Sequence, residues 1–280
     1  MSAPGFSNTQ MSTYTMCGER FRRRYIEKDH EPANSGLIRG SAVARAAHHD
    51  LKWKCDTGQL ADRAEVIAMA RDHVADRFQN QEVELDETEA LLGKAKVRDE
   101  TVDDAVTAIG LYHDEVAVKI DPWMVEPRIV VHLPNVGRNL VMYPDVVEKD
   151  YTIRDLKTSK KTPGDDAAEQ SEQLPMYAMG LRFSSGHVSP RQVLDYVVLI
   201  KKPKTIHREA HHDRNDHART LLRVEQAVRG IDAGIFLPAQ AGSWWCSRKW
   251  CSYYGTCPYV KGGAVVVVPG VNDAVPDREF

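Results

Sequence analysis

The hydrophobic pattern of the chain changes from a helical to a strand-like period near residue 122, and this change most restricts its fold. The stretches "WMVEPRIVVHL", "RNLVMYPDVVEK" and "YTIRDLKTS" are short and rich in Val, Ile and Tyr, with "PNVG" and "KD" at the connections. Strands joined by such short turns pair with their neighbours along the chain. The sequence therefore predicts an antiparallel meander at the centre of the fold.

Helical patterns lie on both sides of this predicted sheet. Apolar residues at helical spacing predict helices at about 40–55, 61–80, 86–120, 166–182 and 213–233. One further apolar strand, "VLDYVVLI", is expected between the last two helices. The order predicts an α/β fold in which a small central sheet is flanked by helices.

Composition restricts the class of protein. The 280 residues, 42% of them hydrophobic, can bury a sizeable core. No apolar run is long enough to cross a bilayer, and the N-terminus lacks the pattern of a signal peptide, so we expect a cytoplasmic protein with no membrane partner. In that reducing compartment the five cysteines indicate metal binding, catalysis or burial rather than disulfides. The sequence contains no Walker-type phosphate loop, which argues against a helicase or ATPase.

Two carboxylates and a lysine occupy the central strands. Asp145 lies in "MYPDVV", whereas Asp155 and Lys157 lie in "RDLKTS". Residues two apart on a strand share a face, and pairing across the turn would bring Asp145 alongside them. Adjacent carboxylates favour a cation between them, and their hard oxygen ligands suit Mg²⁺ or Mn²⁺. Lys157 could then orient or help deprotonate a metal-bound water; the alternative is an ordinary ion pair at a strand end.

A polar pair follows on the next predicted helix. Gln173 and Tyr177 in "QLPMY" are four residues apart and share a helical face, where they could hold a phosphate or a base. The order of an Asp at a strand end, Asp-x-Lys-Thr and Gln-x-x-x-Tyr resembles the RecB-like, CRISPR-associated exonuclease-like branch of the PD-(D/E)XK nuclease superfamily. The resemblance spans about residues 14–260. It implies a restriction-endonuclease-like core and contacts from Gln173 and Tyr177 to the nucleic-acid strand.

The resemblance also implies roles for the acidic residues. Asp145 and Asp155 would bind the metal together with the backbone carbonyl of Leu156, and Lys157 would serve the attacking water. Glu126, in "MVEPRIV", stands where many family members carry a glutamate, which could assist a second metal. The alternative for Glu126 is a solvated strand residue.

One motif departs from the family pattern. The family places a metal-binding histidine four residues after a glycine on the first core helix, but Gly40 is followed by Ala44. His48 lies another four residues along the same face, about 6 Å away at the helical rise per residue. Either His48 replaces the usual ligand, with His49 as its neighbour, or that ligand is missing.

Three cysteines, Cys246, Cys251 and Cys257, lie in "CSRKWCSYYGTC". Cys17, in "TYTMCGERFRRRYI", resembles the cysteine of the family's N-terminal Ser…Cys-Pro-x-x-Phe signature, with Gly18 replacing the proline. In family members with an iron–sulfur cluster, one N-terminal and three C-terminal cysteines bind it. The resemblance therefore implies a structural 4Fe-4S cluster bound by these four cysteines, which would join the two ends of the chain. Zinc, or no metal, remains the alternative.

The C-terminal spacing, C-x₄-C-x₅-C, matches the family's usual C-x₂-C-x₅-C only in its second gap. Aromatic residues surround these cysteines and would either shield the cluster or stack on unpaired bases: Trp244, Trp245, Trp250, Tyr253 and Tyr254. Cys55 lies outside both cysteine segments and is expected to be a small buried residue. We expect one nuclease domain over residues 1–262, with 263–280 as a strand or tail.

Together these features predict a metal-dependent DNA nuclease, an exonuclease acting on DNA ends or single strands. The basic clusters at 20–28, 157–161 and 201–204 would guide phosphates. The family resemblance suggests recombination, repair, replication or CRISPR spacer acquisition in a bacterial or phage-infected cell, with a recombination or replication protein as a possible partner. The alternative is a catalytically inactive DNA-binding or assembly module that retains the fold.

Overall fold

The computed structural model describes residues 5–260, and the predicted strand or tail at 263–280 lies outside this range. Its helices are α1 (Asn8–Met16), α2 (Gly18–Phe21), α3 (Ser35–Thr57), α4 (Arg63–Asn80), α5 (Glu87–Leu92), α6 (Lys94–Leu111), α7 (Gln173–Ser185) and α8 (Arg214–Asp232). The strands are β1 (Gly5–Ser7), β2 (Ala33–Asn34), β3 (Val83–Glu84), β4 (Pro122–Val125), β5 (Ile129–Leu133), β6 (Arg138–Met142), β7 (Val146–Glu148), β8 (Ile153–Ser159), β9 (Gln192–Val198) and β10 (Lys204–Ala210).

A five-stranded sheet of order β10-β9-β8-β7-β4 forms the centre. Its neighbouring strands are antiparallel except β8 and β9, which run parallel and are connected through α7. A parallel pair needs such a crossover, because a hairpin can join only antiparallel strands. This mixed α/β core is consistent with the predicted restriction-endonuclease-like architecture.

The antiparallel pairings predicted across "PNVG" and "KD" are confirmed, as β5 with β6 and β7 with β8. The strands do not form a single meander, however, because the first two stretches each divide into two strands. Pro127 follows the end of β4 and Pro144 precedes β7, and a proline cannot donate to a strand ladder. The released strands β5 and β6 pair with each other, and β1 joins β6 in a second, three-stranded sheet. Strand β10 was also not predicted.

Two predicted helices differ in part from the observed ones. The helix expected at 86–120 is interrupted at Gly93, whose φ of +85° favours glycine. After α6 the chain stays helical, as a π-helical turn (Tyr112–Val116) and a 3-10 turn (Ala117–Lys119), so the predicted end near 120 is confirmed. The helix expected at 166–182 begins only at Gln173, after a turn. None of the helices within residues 5–260 is long and apolar enough to cross a membrane.

Apolar cores cover both faces of the central sheet. Helices α3, α4 and α6 form one core, which includes Leu51 and Ile109 and is joined by Leu156 from β8. The second core includes Ile153 from β8, Leu140 from β6 and Met176 from α7. Strand β8 is therefore held from both sides, and the polar residues on it have fixed positions.

Candidate active site

The predicted acidic residues meet where β7 begins beside β8. The pairing of Val146 with Arg154 places Asp145 next to the following residues of β8. The Leu156 N–H donates to Oδ2 of Asp145 at 2.6 Å. Since Leu156 lies between Asp155 and Lys157, the structure brings all three predicted catalytic residues to one point.

Helix α3 adds His48 to this point. His48 Nε2 lies 2.8 Å from Oδ1 of Asp145, and its Nδ1 lies 3.5 Å from Oε2 of Glu126. Burial lowers the pKa of His48, but the hydrogen bond to Asp145 and the charges of both carboxylates outweigh burial and raise it. The neighbouring His49 instead pairs with Glu65 at 3.1 Å.

Glu126 has a strained backbone beside this site. Its φ is +49°, in the left-handed region that a residue with a side chain rarely adopts, and its N–H donates to the Asp145 carbonyl at 2.8 Å. Strain of this kind is concentrated at functional sites. The Glu126 side chain is more than half exposed, so it can reach a ligand from solvent.

Asp155 is an acid in an unfavourable environment. Only 3% of the residue is exposed, and no well-aligned hydrogen bond from residues 5–260 reaches its Oδ2, although the Lys157 ammonium pairs with it. Burial, and then the Asp145 charge, raises the pKa of Asp155, against the opposing effect of Lys157. A cation between the two carboxylates would remove this penalty.

A chain of hydrogen bonds connects Lys157 to the turn before Asp145. Lys157 Nζ donates to Oε1 of Gln173 at 2.9 Å, the Gln173 amide donates to the Tyr177 hydroxyl, and this hydroxyl donates to the Tyr143 carbonyl at 3.0 Å. Tyr177 is 4% exposed. This burial disagrees with the expected contact between Tyr177 and a nucleic-acid strand, because its hydroxyl is enclosed and already bonded within the protein.

Sequence reasoning missed two residues on β9. Tyr196 lies opposite Lys157 in the parallel ladder, and its hydroxyl makes no hydrogen bond to any residue in 5–260. On the other face of the sheet, Asp195 accepts from Arg154 Nη1 at 3.0 and 3.1 Å, and Arg154 also donates to Glu148 at 2.6 Å. Both β9 residues are polar positions within the apolar run "VLDYVVLI", which is the signal that could have identified them.

Within residues 5–260, no group of three or more His, Cys, Asp or Glu side chains is arranged as a metal site. Beside Asp145 and Asp155, the carboxylates already have protein partners. Lys157 pairs with Asp155, and the His48 ring lies between Asp145 and Glu126. These two side chains supply the positive charge that balances the carboxylates. By donor type, the carboxylates of Asp145 and Asp155 and the imidazole of His48 suit a divalent cation.

The four predicted cluster cysteines come from opposite ends of the sequence but line one common cavity: Cys17, Cys246, Cys251 and Cys257. All four are free thiols, and within residues 5–260 they are not arranged as a metal site. The Arg20 N–H donates to Sγ of Cys17 at 3.4 Å. Burial raises the pKa of Cys251 to about 11. Cys55 is exposed and donates to the Trp123 carbonyl, so the expectation that it is buried is wrong.

Direct contacts already join the N-terminal and C-terminal segments. The Gly18 N–H donates to the Leu237 carbonyl at 2.7 Å, and Trp245 Nε1 donates to the Met16 carbonyl at 3.1 Å. A Cβ on Gly18 would lie 2.7 Å from Cα of Phe236. This contact needs both an N–H and the absence of a side chain, which accounts for a glycine rather than a proline at position 18.

The model of the PD-(D/E)XK nuclease superfamily matches residues 5–258. No curated protein matches the chain. The crystal structure of a candidate exonuclease from Eubacterium rectale is similar, with a TM-score of 0.54 and 14% identity over 87% of this chain and 86% of that one. The crystal structure of SSO0001 aligns over 86% of this chain and 94% of its own, at 10% identity and with a TM-score of 0.32.

Proposed function

The chain belongs to the PD-(D/E)XK nuclease superfamily, and on this premise we propose that it is a metal-dependent DNA exonuclease acting on DNA ends or single strands. Members of this superfamily are phosphodiester hydrolases that generally use Mg²⁺ or Mn²⁺. The observation that carries the proposal is the Leu156–Asp145 hydrogen bond, which holds Asp145 against the strand segment carrying Asp155 and Lys157.

Asp145, Asp155 and His48 would hold the metal. The backbone carbonyl of Leu156 is a further candidate ligand, because the N–H and C=O of one strand residue point to the same edge, and the Leu156 N–H already points at Asp145. A bound Mg²⁺ or Mn²⁺ would supply Lewis acidity and lower the pKa of a water molecule. Glu126 would assist at a second metal position.

Lys157 would act as a charged group rather than as a free base. Burial lowers its pKa, but the Asp155 and Asp145 carboxylates outweigh burial and raise it, so the ammonium stays protonated. Such a group can orient the attacking water and stabilise negative charge on the phosphate. Gln173 would hold the ammonium in place through its 2.9 Å hydrogen bond and would also lie near the substrate strand.

The proposed DNA path follows the end of the parallel strand pair. Because β8 and β9 are parallel, the basic residues that follow each strand lie at the same edge of the sheet, next to Lys157. These are Lys160 and Lys161 after β8, and Lys201 and Lys202 after β9. Positive charge at this edge would bind the phosphates of a substrate strand.

The cysteine cavity would hold a 4Fe-4S cluster, with zinc as the alternative. Its support is that four cysteines from opposite ends of the chain share one cavity. A metal bound by four thiolates has no open position, so its role would be structural. Roles in recombination or repair, a recombination or replication partner, and a cytoplasmic location remain predictions.

The test is digestion of labelled single and double strands that carry a 5′ block, a 3′ block or both, with Mg²⁺ and with Mn²⁺. We expect metal-dependent loss of nucleotides from at least one free end and protection when both ends are blocked. Cleavage of doubly blocked DNA would show an endonuclease. No cleavage of any strand would favour the inactive DNA-binding or assembly module.

A further inference from the structure

The five aromatic residues around the C-terminal cysteines divide into two groups. Trp245, Tyr253 and Tyr254 line the cysteine cavity. Trp244 and Trp250 do not line it, and they are 63% and 47% exposed. Shielding of a metal accounts for the first group and leaves the two exposed tryptophans without a role.

The exposed rings are held in fixed orientations. Trp244 packs edge-to-face on Trp245 at 5.5 Å and on Trp250 at 5.4 Å between ring centroids. Trp245 is itself anchored by its hydrogen bond to the Met16 carbonyl. Exposed apolar side chains that are ordered and grouped mark a binding site more often than scattered ones do.

Positive charge lies beside the Trp250 ring. Lys249 is exposed, and its Nζ lies 5.8 Å from the Trp250 ring centroid, whereas the exposed Arg248 guanidinium lies 5.6 Å from the Tyr254 ring centroid. Aromatic faces beside cationic side chains are the chemistry that binds unpaired nucleic-acid strands, since each base has a flat apolar face and each nucleotide carries a negative charge.

Contacts connect this surface to the helix that carries His48. Lys249 pairs with Asp86 at 3.3 Å, just before α5, and Glu89 of α5 accepts a hydrogen bond from Ser35 at the start of α3. Ser35 and His48 are about 20 Å apart along α3 at the helical rise per residue. A single strand of a few nucleotides can cover such a distance.

We propose that Trp244 and Trp250 form a base-stacking subsite for the single-stranded part of the substrate, on the side of the active site where α3 begins. The inference deepens the proposed nuclease function and rests on it. In this arrangement the rings select unpaired over paired DNA, because bases within a duplex are already stacked on one another.

Binding of fluorescein-labelled oligothymidylate, followed by anisotropy with Ca²⁺ in place of Mg²⁺, tests the proposal. Trp244→Ala and Trp250→Ala should each weaken binding about tenfold, with little effect on a blunt duplex. The salt dependence should stay unchanged, because no charge is removed. Trp53, 50% exposed on α3, provides the matched control Trp53→Ala, which should bind like wild type.

A second measurement does not depend on the folding of the alanine variants: binding of oligonucleotides that each lack one base. Wild type should lose affinity when bases are removed at one or two positions of the strand, and Trp250→Phe should retain that pattern. An equal affinity for every abasic strand overturns the proposal, as does wild-type affinity in both alanine variants. If base-dependent binding is found but wild type digests no DNA, the nuclease proposal fails and the stacking site stands.

Discussion

His48 Nε2 lies 2.8 Å from Oδ1 of Asp145, although the family pattern places its histidine at the position occupied here by Ala44. One further helical turn of α3 brings an imidazole to the same group of carboxylates. The ring also lies within 3.5 Å of Glu126, so His48 connects three separate elements of the fold. This relationship makes His48 the candidate replacement for the family ligand.

Replacing His48 should weaken metal binding. We expect His48→Ala to lower the affinity for Mn²⁺ by about 10- to 100-fold, because a ligand is lost from the group. Isothermal titration with Mn²⁺ measures this directly. His49→Ala is the control, since His49 pairs with Glu65 and should leave the affinity intact. Equal affinities in wild type and His48→Ala would show that the usual ligand is missing rather than replaced.

Gln173→Ala should lower kcat more than it raises KM. The amide accepts from Lys157 at 2.9 Å, so its loss frees the ammonium to adopt other positions, while most contacts to DNA remain. Tyr177→Phe removes both hydrogen bonds of the buried hydroxyl, from the Gln173 amide and to the Tyr143 carbonyl, but keeps the bond from Lys157 to Gln173, and it should cost about 2 kcal/mol of stability. A rise in KM alone for Gln173→Ala would instead assign the amide to DNA binding.

Without metal, the stability of the protein should fall as the pH rises above neutrality. The pKa of His48 is raised in the folded state, so its contribution is complete below the ordinary histidine value of about 6.5 and is lost as the pH passes the folded value. The pKa of Asp155 is raised to about 7, so its contribution also falls with rising pH, but over the lower range between the ordinary carboxyl value of about 3.9 and about 7. Urea unfolding in EDTA across this range measures the effect, and His48→Gln should flatten it. An equally steep decline in His48→Gln would assign the pH dependence to other groups.

Cys17→Ala should lose bound metal to the same extent as Cys257→Ala, because both residues line one cavity although they lie at opposite ends of the chain. Iron, acid-labile sulfide and zinc are measured on anaerobically purified protein, together with the melting temperature. Cys55→Ala is the matched control, since Cys55 is exposed outside the cavity. Undiminished metal in Cys17→Ala contradicts the proposed ligand set, and zinc without iron identifies the alternative metal.

Local periodicity was enough to predict part of this site. A strand period of two places Asp155 and Lys157 on one face, and a helical step of four moves the ligand position from Ala44 to His48. Asp145 and Asp155 lie close together because β7 and β8 are neighbours in sequence and pair across a short turn, so short-range patterns predict their proximity. The same holds for the helix that carries Gln173 and Tyr177, although not for its first residue.

Other features depend on contacts between distant segments. Pro127 and Pro144 break their stretches at single residues, and the pattern alone does not show that the released strands form a second sheet with β1. The burial of Tyr177 and the exposure of Trp250 likewise follow from packing rather than from residue type. Sequence therefore identified the chemical groups better than it identified their surroundings.

The most direct test of the central claim compares wild type with Asp155→Asn for release of labelled nucleotides from DNA, with and without Mn²⁺. Asparagine keeps the size of Asp155 but removes the charge that would bind the metal together with Asp145. We predict metal-dependent release by wild type and a loss of at least a hundredfold, about 2.7 kcal/mol of transition-state stabilisation, in the folded variant. Equal release by the two proteins, or no release by wild type, would contradict the assignment of this site as the catalytic centre.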